Sequence, residues 1–190
     1  MQNNAPSNRV AGRGRHPQAD MDAARVLDLV SHLESRGVRV WLDGGWSIDA
    51  LIGEQRRQHD DLDLISDLAE VPALEAALNE LGYFTRGGGA PQSFEMVDAE
   101  GHQVDVHPAS FDSDGDGHYR MESGEDWIFP KEGFKGVGHL LDRDVPCMTP
   151  EVALRNHSTG YALDETHEAD VVALCEHFGL SLPPFEKTAR

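Results

Sequence analysis

Residues 61–65, Asp-Leu-Asp-Leu-Ile, alternate strictly between the two faces a strand would have. In an extended chain Asp61, Asp63 and Ile65 point one way and Leu62 and Leu64 the other. Two carboxylates on one side, with Cβ atoms about 7 Å apart, make a clamp for a hard divalent cation. The same pattern alone also suits a solvated strand edge, where acids are ordinarily found. Two further features shift the balance. Upstream, Asp43-Gly44-Gly45 breaks the β-rich run 38–42 and leads into a short helix predicted over 46–52, stopped at Gly53. Glycines between a strand and a helix let backbone approach an anion, and the helix start offers free N–H donors. Downstream, Asp105 alternates with apolar neighbours in Val104-Asp105-Val106-His107, as on an adjacent strand. Three carboxylates converging from two strands suit one or two Mg²⁺ ions that keep coordination places for phosphate, the arrangement nucleotidyl transfer needs. No GxGxxG and no GKS or GKT occurs, so neither the Rossmann nor the P-loop mode of phosphate binding applies.

The rest of the chain predicts a mixed α/β fold with an antiparallel component. Asp20 is positioned to cap a first helix through Ala23, Val26, Leu27, Val30 and Leu33, with Gly37 as its stop. Residues 71–81 form an amphipathic helix closed by Gly82. Strands are predicted over 83–86, 93–97 and 102–107, the last two as a hairpin, with further strands over 127–129 and 145–148. Pro150 marks the first turn of a helix to about His157, and Asp164 or Thr166 caps a last helix that ends at Gly179. Residues 1–19 are polar and aperiodic and are expected to be a disordered tail; residues 20–190 are expected to form one domain, with 149–179 as its helical C-terminal part.

The net charge of −18 narrows the partners. Arg9, Arg13 and Arg15 lie in the first nineteen residues, which hold no acid, so the remainder carries −21. Such a surface repels phosphate backbones, making nucleic acid an unfavourable partner, and attracts cationic small molecules. A general solubility or high-salt adaptation would give the same charge. Cys147 and Cys175 form no CxxC pair and have no zinc-spaced partners, as expected of reduced thiols in a cytoplasmic protein. No apolar stretch has bilayer length, and Met1–Asp20 lacks the apolar core of a secretory signal, so no membrane role is expected.

Two features compete for attention. Asp112-Ser-Asp114-Gly-Asp116-Gly117 resembles the first half of a calcium loop, but position 12 is Ser123 and position 9 is Arg120. A polar turn is the better reading. His59 and His107 flank the carboxylates and are candidates for phosphate or substrate contact, or for structural hydrogen bonding. There is no HExxH and no GxSxG.

Val40-Trp41-Leu42-Asp43-Gly44-Gly45-Trp46, His59-Asp60-Asp61-Leu62-Asp63 and Val104-Asp105-Val106-His107-Pro108 together resemble the antibiotic nucleotidyltransferases of the polymerase-β superfamily. The small lincosamide nucleotidyltransferases share more. They have a Pro-Cys pair like Pro146-Cys147, a segment like His157-Ser158-Thr159-Gly160-Tyr161, and a final helix like Asp170-Val171 with Leu174. The resemblance runs from about residue 38 to 178; the small aminoglycoside 2''-nucleotidyltransferases share its first half. It implies a polymerase-β-like nucleotidyltransferase fold, a mixed sheet with flanking helices and a short helical C-terminal part. The implied activity is Mg²⁺-dependent transfer of a nucleoside monophosphate, AMP from ATP, to an antibiotic hydroxyl. The implied acceptor is a lincosamide, with an aminoglycoside or a protein partner of the antitoxin type as alternatives. By the same resemblance Asp61 and Asp63 are the metal pair, Asp105 is a third ligand, the general base or both, and Gly44, Gly45 and Trp46 bind nucleotide. Asp60 and the acidic loop 112–117 depart from the pattern. Asp49, Glu95 and Asp112 are candidates to receive the amine of a cationic antibiotic. A homodimer is compatible with the sequence.

Overall fold

The computed structural model describes residues 19–159 and 165–184. The expected tail, apart from its last residue, and the expected cap at Asp164 lie outside these.

The alternating segment becomes β2 (Asp61–Asp67), near the middle of the sheet. On one side it pairs parallel with β5 (Gln103–Phe111), on the other antiparallel with β1 (Val40–Leu42). β3 (Phe84–Gly88) and β4 (Phe94–Val97) extend the sheet beyond β5. β9 (Arg143–Cys147) runs parallel to β1 through Leu42 and Cys147, and β8 (Gly136–Leu140) closes that edge. β6 (Gly117–Arg120) and β7 (Asp126–Phe129) form a ribbon on the far end of β5. The predicted hairpin is the β4–β5 pair. β6 and β8 are strands the sequence did not announce: each starts with glycine, and β8 carries a second one at Gly138, a residue that weakens any strand pattern.

Alternation along the strands sorts two cores. Leu62 and Leu64 of β2, Val104 and Val106 of β5 and Phe94 and Met96 of β4 bury against α1 (Ala23–Ser35) and α3 (Val71–Glu80). On the opposite face Ile65, Ala109, Tyr119 and Phe129 meet α4 (Pro150–Ser158) and α5 (Glu165–Phe178). α2 (Gly44–Ile52) contributes to both cores, Trp46 and Ala50 to the first and Ile48 to the second. Pro150 does stand in the first turn of α4. Thr166 lies inside α5 rather than capping it.

Two expected helix starts move. Asp22, not Asp20, caps α1: its side chain accepts from Arg25 N at 2.8 Å, the three-residue reach a cap requires. Asp20 instead accepts from Gln58 Nε2 at 2.9 Å. α2 begins at Gly44 with Asp43 as its N-cap, two residues before the predicted start. The Gly-Gly pair is therefore the first turn of the helix and not a loop before it. None of the described helices is long and apolar enough to cross a membrane.

Candidate active site

The parallel register of β2 and β5 sets Asp63 directly opposite Asp105, and Asp61 opposite Gln103. The antiparallel register of β4 and β5 sets Glu95 opposite Asp105. Asp63, Asp105 and Glu95 thus form one row across three strands, with Asp61 in the next row on the same face. The start of α2 lies against this row. Asp43 N–H donates to Asp63 O at 3.0 Å, and Gly44 takes φ +59°. A Cβ at Gly44 would overlap the Asp63 carboxylate, and one at Gly45 would overlap the Arg57 guanidinium and the His59 ring. Both glycines are required by close approach.

The histidines settle into definite places. His107 Nε2 lies 3.3 Å from Asp63 Oδ1, and its ring meets Tyr119 edge-on at 5.5 Å. Burial works to lower the His107 pKa, but the hydrogen bond and charge of Asp63 outweigh it and hold it above the usual imidazole range. Reciprocally, burial works to raise Asp63, and His107 outweighs this and holds it low. His59 is turned away from the carboxylates: its Nε2 lies 2.7 Å from Asp49 Oδ2 and its ring stacks on Trp46 at 4.3 Å. His157, on α4, is buried and pushed down to about 4 by that burial.

Three carboxylates this close repel one another. Burial, then Asp63 and Asp105, push Asp61 up to about 8; burial, then Asp63, push Asp105 up to about 7. Asp43 is raised by burial as well, and accepts from Asn156 Nδ2 at 3.3 Å. The oxygens of Asp61, Asp63 and Asp105 are splayed: among the described residues, the group with ligand atoms all within 4.8 Å is Asp98, Glu100 and His102. That group is a hairpin brace. Asp98 accepts the backbone N–H groups of Glu100, Gly101 and His102, and Arg25 bridges Asp98 and Glu100. The Asp61, Asp63 and Asp105 set is different. Its acids hold few internal cations, its donors are hard oxygens, and its mutual repulsion is what a divalent cation relieves. These residues fit Mg²⁺.

Several expected contacts fall elsewhere. Trp46 is 1% exposed and belongs to the core beneath the site, so its side chain supports α2 and His59 instead of facing a nucleotide. Asp49 is fully buried and committed to His59 and to the Arg56 backbone N–H, so it cannot receive an amine from outside. Asp112 Oδ1 accepts the N–H groups of Asp114, Gly115 and Asp116, and Oδ2 meets His118; segment 112–117 is a self-capped turn. Glu95 is on the site face but holds Arg86 at 2.8 Å.

Sequence reasoning missed four neighbours of the site: Gln103, which donates to Asp105 Oδ1 at 2.7 Å, Asn156, Arg57 and Asp170. Arg57 donates to Asp170 and also moderates the charge at Asp61. Only Asp170 had a signal, as part of the Asp-Val-x-x-Leu helix.

A family model described as aminoglycoside-2''-adenylyltransferase matches residues 25–174. A lincosamide resistance protein of Staphylococcus haemolyticus is 33% identical over 146 residues, covering 77% of this chain and 88% of the relative. The crystal structure of the lincosamide antibiotic adenylyltransferase LnuA with lincomycin bound matches with a TM-score of 0.73 and 29% identity, over 82% of this chain and 98% of that one. The structure of ANT(2'')-Ia with adenylyl-2''-tobramycin shares the fold, at a TM-score of 0.66 and 21% identity over 83% of this chain and 89% of that one. The family model over residues 25–174, with the 33% identical relative, places the chain in the aminoglycoside-2''-adenylyltransferase family of nucleotidyltransferases.

Proposed function

We propose that this protein transfers AMP from ATP to a hydroxyl of a lincosamide antibiotic. The observation that carries the reading is the row of Asp61, Asp63 and Asp105 against a helix start whose Gly44 leaves room for nothing larger. The lincosamide acceptor is supported by the 33% identity to a lincosamide resistance protein and by the lincomycin-bound LnuA structure. An aminoglycoside acceptor is the second reading, favoured by the family model over 25–174.

In this reading the backbone N–H groups at Gly44 and Gly45 bind the triphosphate at the positive end of α2. Asp61, Asp63 and Asp105 would hold Mg²⁺, which when bound neutralises charge on the phosphates. His107 fixes the Asp63 carboxylate through their 3.3 Å contact. Asp105 accepts the proton of the acceptor hydroxyl as the hydroxyl oxygen bonds to the α-phosphorus and the bond to pyrophosphate breaks. Orientation and charge placement supply the acceleration. Of the three acids considered for the acceptor amine, Glu95 is the one on the site face. The chain acts in the cytoplasm, as one domain over residues 20–190.

The experiment is incubation with Mg²⁺, ATP and a panel of lincosamides and aminoglycosides, read by mass for an added AMP. Modified lincomycin supports the reading; modified aminoglycoside alone transfers it to the second. Modification of neither, beside an active control enzyme, removes both.

A further inference from the structure

β3 and β4 do not pair evenly. Thr85 faces Met96 and Gly87 faces Glu95, so Arg86 is the extra residue of a β-bulge. A bulge re-aims the side chain it displaces. Here it sends the Arg86 guanidinium across β4 to the site face. Nε donates to Glu95 Oε2 at 2.9 Å, Nη2 lies 2.8 Å from the same oxygen as an ion pair, and Nη2 donates to Gln103 Oε1. Gln103 in turn donates from Nε2 to Asp105 Oδ1 at 2.7 Å.

A glutamine amide has a donor end and an acceptor end. Facing Asp105 the wrong way round, it would set oxygen against oxygen. Arg86 occupies the acceptor end, so the donor end is the one left for Asp105. We propose that Gln103, locked in this sense by Arg86, is a positioning residue for Asp105. It fixes the rotation of the carboxylate by engaging Oδ1 and leaves Oδ2 for the chemistry. The register adds a second constraint: Gln103 stands opposite Asp61, so one side chain spaces Asp61 from Asp105 along the site face. This rests on Asp105 being a reacting carboxylate, as proposed above.

The test compares Gln103→Ala, Gln103→Met, Arg86→Ala, Arg86→Lys and the Arg86→Ala/Gln103→Ala double variant, with Asp105→Asn alongside. Rates are read with whichever antibiotic the wild type modifies, and Mn²⁺ affinity by calorimetry on the protein without nucleotide. Gln103→Ala and the volume-keeping Gln103→Met lower kcat at least about tenfold and weaken Mn²⁺ binding, as loss of an orienting partner does. Nucleotide KM and melting temperature stay near wild type. Because Arg86 acts through Gln103, the double variant falls no further than Gln103→Ala. Arg86→Lys, which keeps a donor for Oε1, retains more activity than Arg86→Ala. Wild-type kcat in Gln103→Met overturns the inference, as does a double variant showing the product of the two single losses, or a kcat loss wholly matched by lost folding. Asp105→Asn inactive with Gln103 variants unaffected overturns the inference alone; Asp105→Asn at the wild-type rate overturns the functional reading of Asp105 and this inference with it.

Discussion

Arg57 and Asp170 stand 113 residues apart in the chain and are joined by two hydrogen bonds to one oxygen, Nε at 3.1 Å and Nη2 at 2.9 Å from Oδ2. Asp170 is almost wholly buried on α5 and also takes Arg56 Nη1 at 3.4 Å. The same Arg57 guanidinium lies against Gly45 at the start of α2. Asp170→Asn should therefore do two things. Losing the charge under two partly exposed arginines costs about 2 kcal/mol, less than for a fully buried pair, and lowers the melting temperature by roughly 4–8 °C. It also frees Arg57 from its place beside Gly45, so nucleotide KM rises while acceptor KM holds. An unchanged nucleotide KM would confine Asp170 to stability.

Gly44 and Gly53 share a left-handed backbone and differ in what surrounds them: φ is +59° and +88°, yet a Cβ meets Asp63 at the first and nothing within 4 Å at the second. Gly53→Ala should cost about 1 kcal/mol and leave the rate intact. Gly44→Ala adds displacement of Asp63 to the same backbone cost, with a loss of roughly a hundredfold or more in kcat/KM. Parallel thermal melts and rate measurements decide it; equal rates for the two variants would remove Gly44 from the site.

Asp61 is expected to trade stability for activity. Burial and the neighbouring carboxylates push its folded pKa up to about 8, well above the ordinary carboxylate value of 3.8, so the folded state keeps a proton that the unfolded chain releases. Folding is therefore penalised increasingly as pH climbs through that window. Without divalent cation, Asp61→Asn should melt a few degrees above wild type at pH 8.5, with the gain shrinking to nothing near pH 4. Mg²⁺ should stabilise wild type more than the variant at pH 8.5, because it binds the charged form. The variant should be inactive. A variant less stable than wild type at high pH would refute the repulsion.

His157 has the opposite sign. Burial pushes its pKa down to about 4, so the unfolded chain takes up a proton first as pH falls below 6.5. The wild type loses stability from pH 6.5 toward 4. His157→Gln should lose less across that window, even if it starts lower from imperfect packing. The quantity to measure is the difference in melting temperature at pH 7.5 and 4.5; parallel curves would show that His157 is not buried neutral.

What the sequence made legible follows from where period and chemistry coincide. The two-residue period of 61–65 and 103–107 fixed which faces Asp61, Asp63 and Asp105 would share, and the register set them side by side. Glycine misled twice. It hid β6 and β8, and it made Gly44-Gly45 look like a loop, because glycine's low helix propensity is overridden where a carboxylate leaves no room for Cβ. Asp49 is a candidate for an amine by its charge alone, whereas His59 and the Arg56 backbone satisfy it inside. Gln103 carried no signal. A neutral amide belongs to no motif, and its place depends on a bulge one strand over.

The β1–β9 pair has a further consequence for how the molecule is made. Leu42 meets Cys147, and Met148 N–H donates to Leu42 O at 3.2 Å, so the strand just before the glycine turn gains its outer neighbour only from residues more than a hundred positions later. During synthesis, β2, β5 and the carboxylates emerge well before the strand and helices that brace them. Closing so long a loop is slow. A nascent chain halted before residue 147 would carry an assembled row of acids on an unfinished sheet, with the β1 edge open to other chains. The net charge of −18 would then serve assembly, keeping such half-made sheets apart by repulsion until the C-terminal residues arrive.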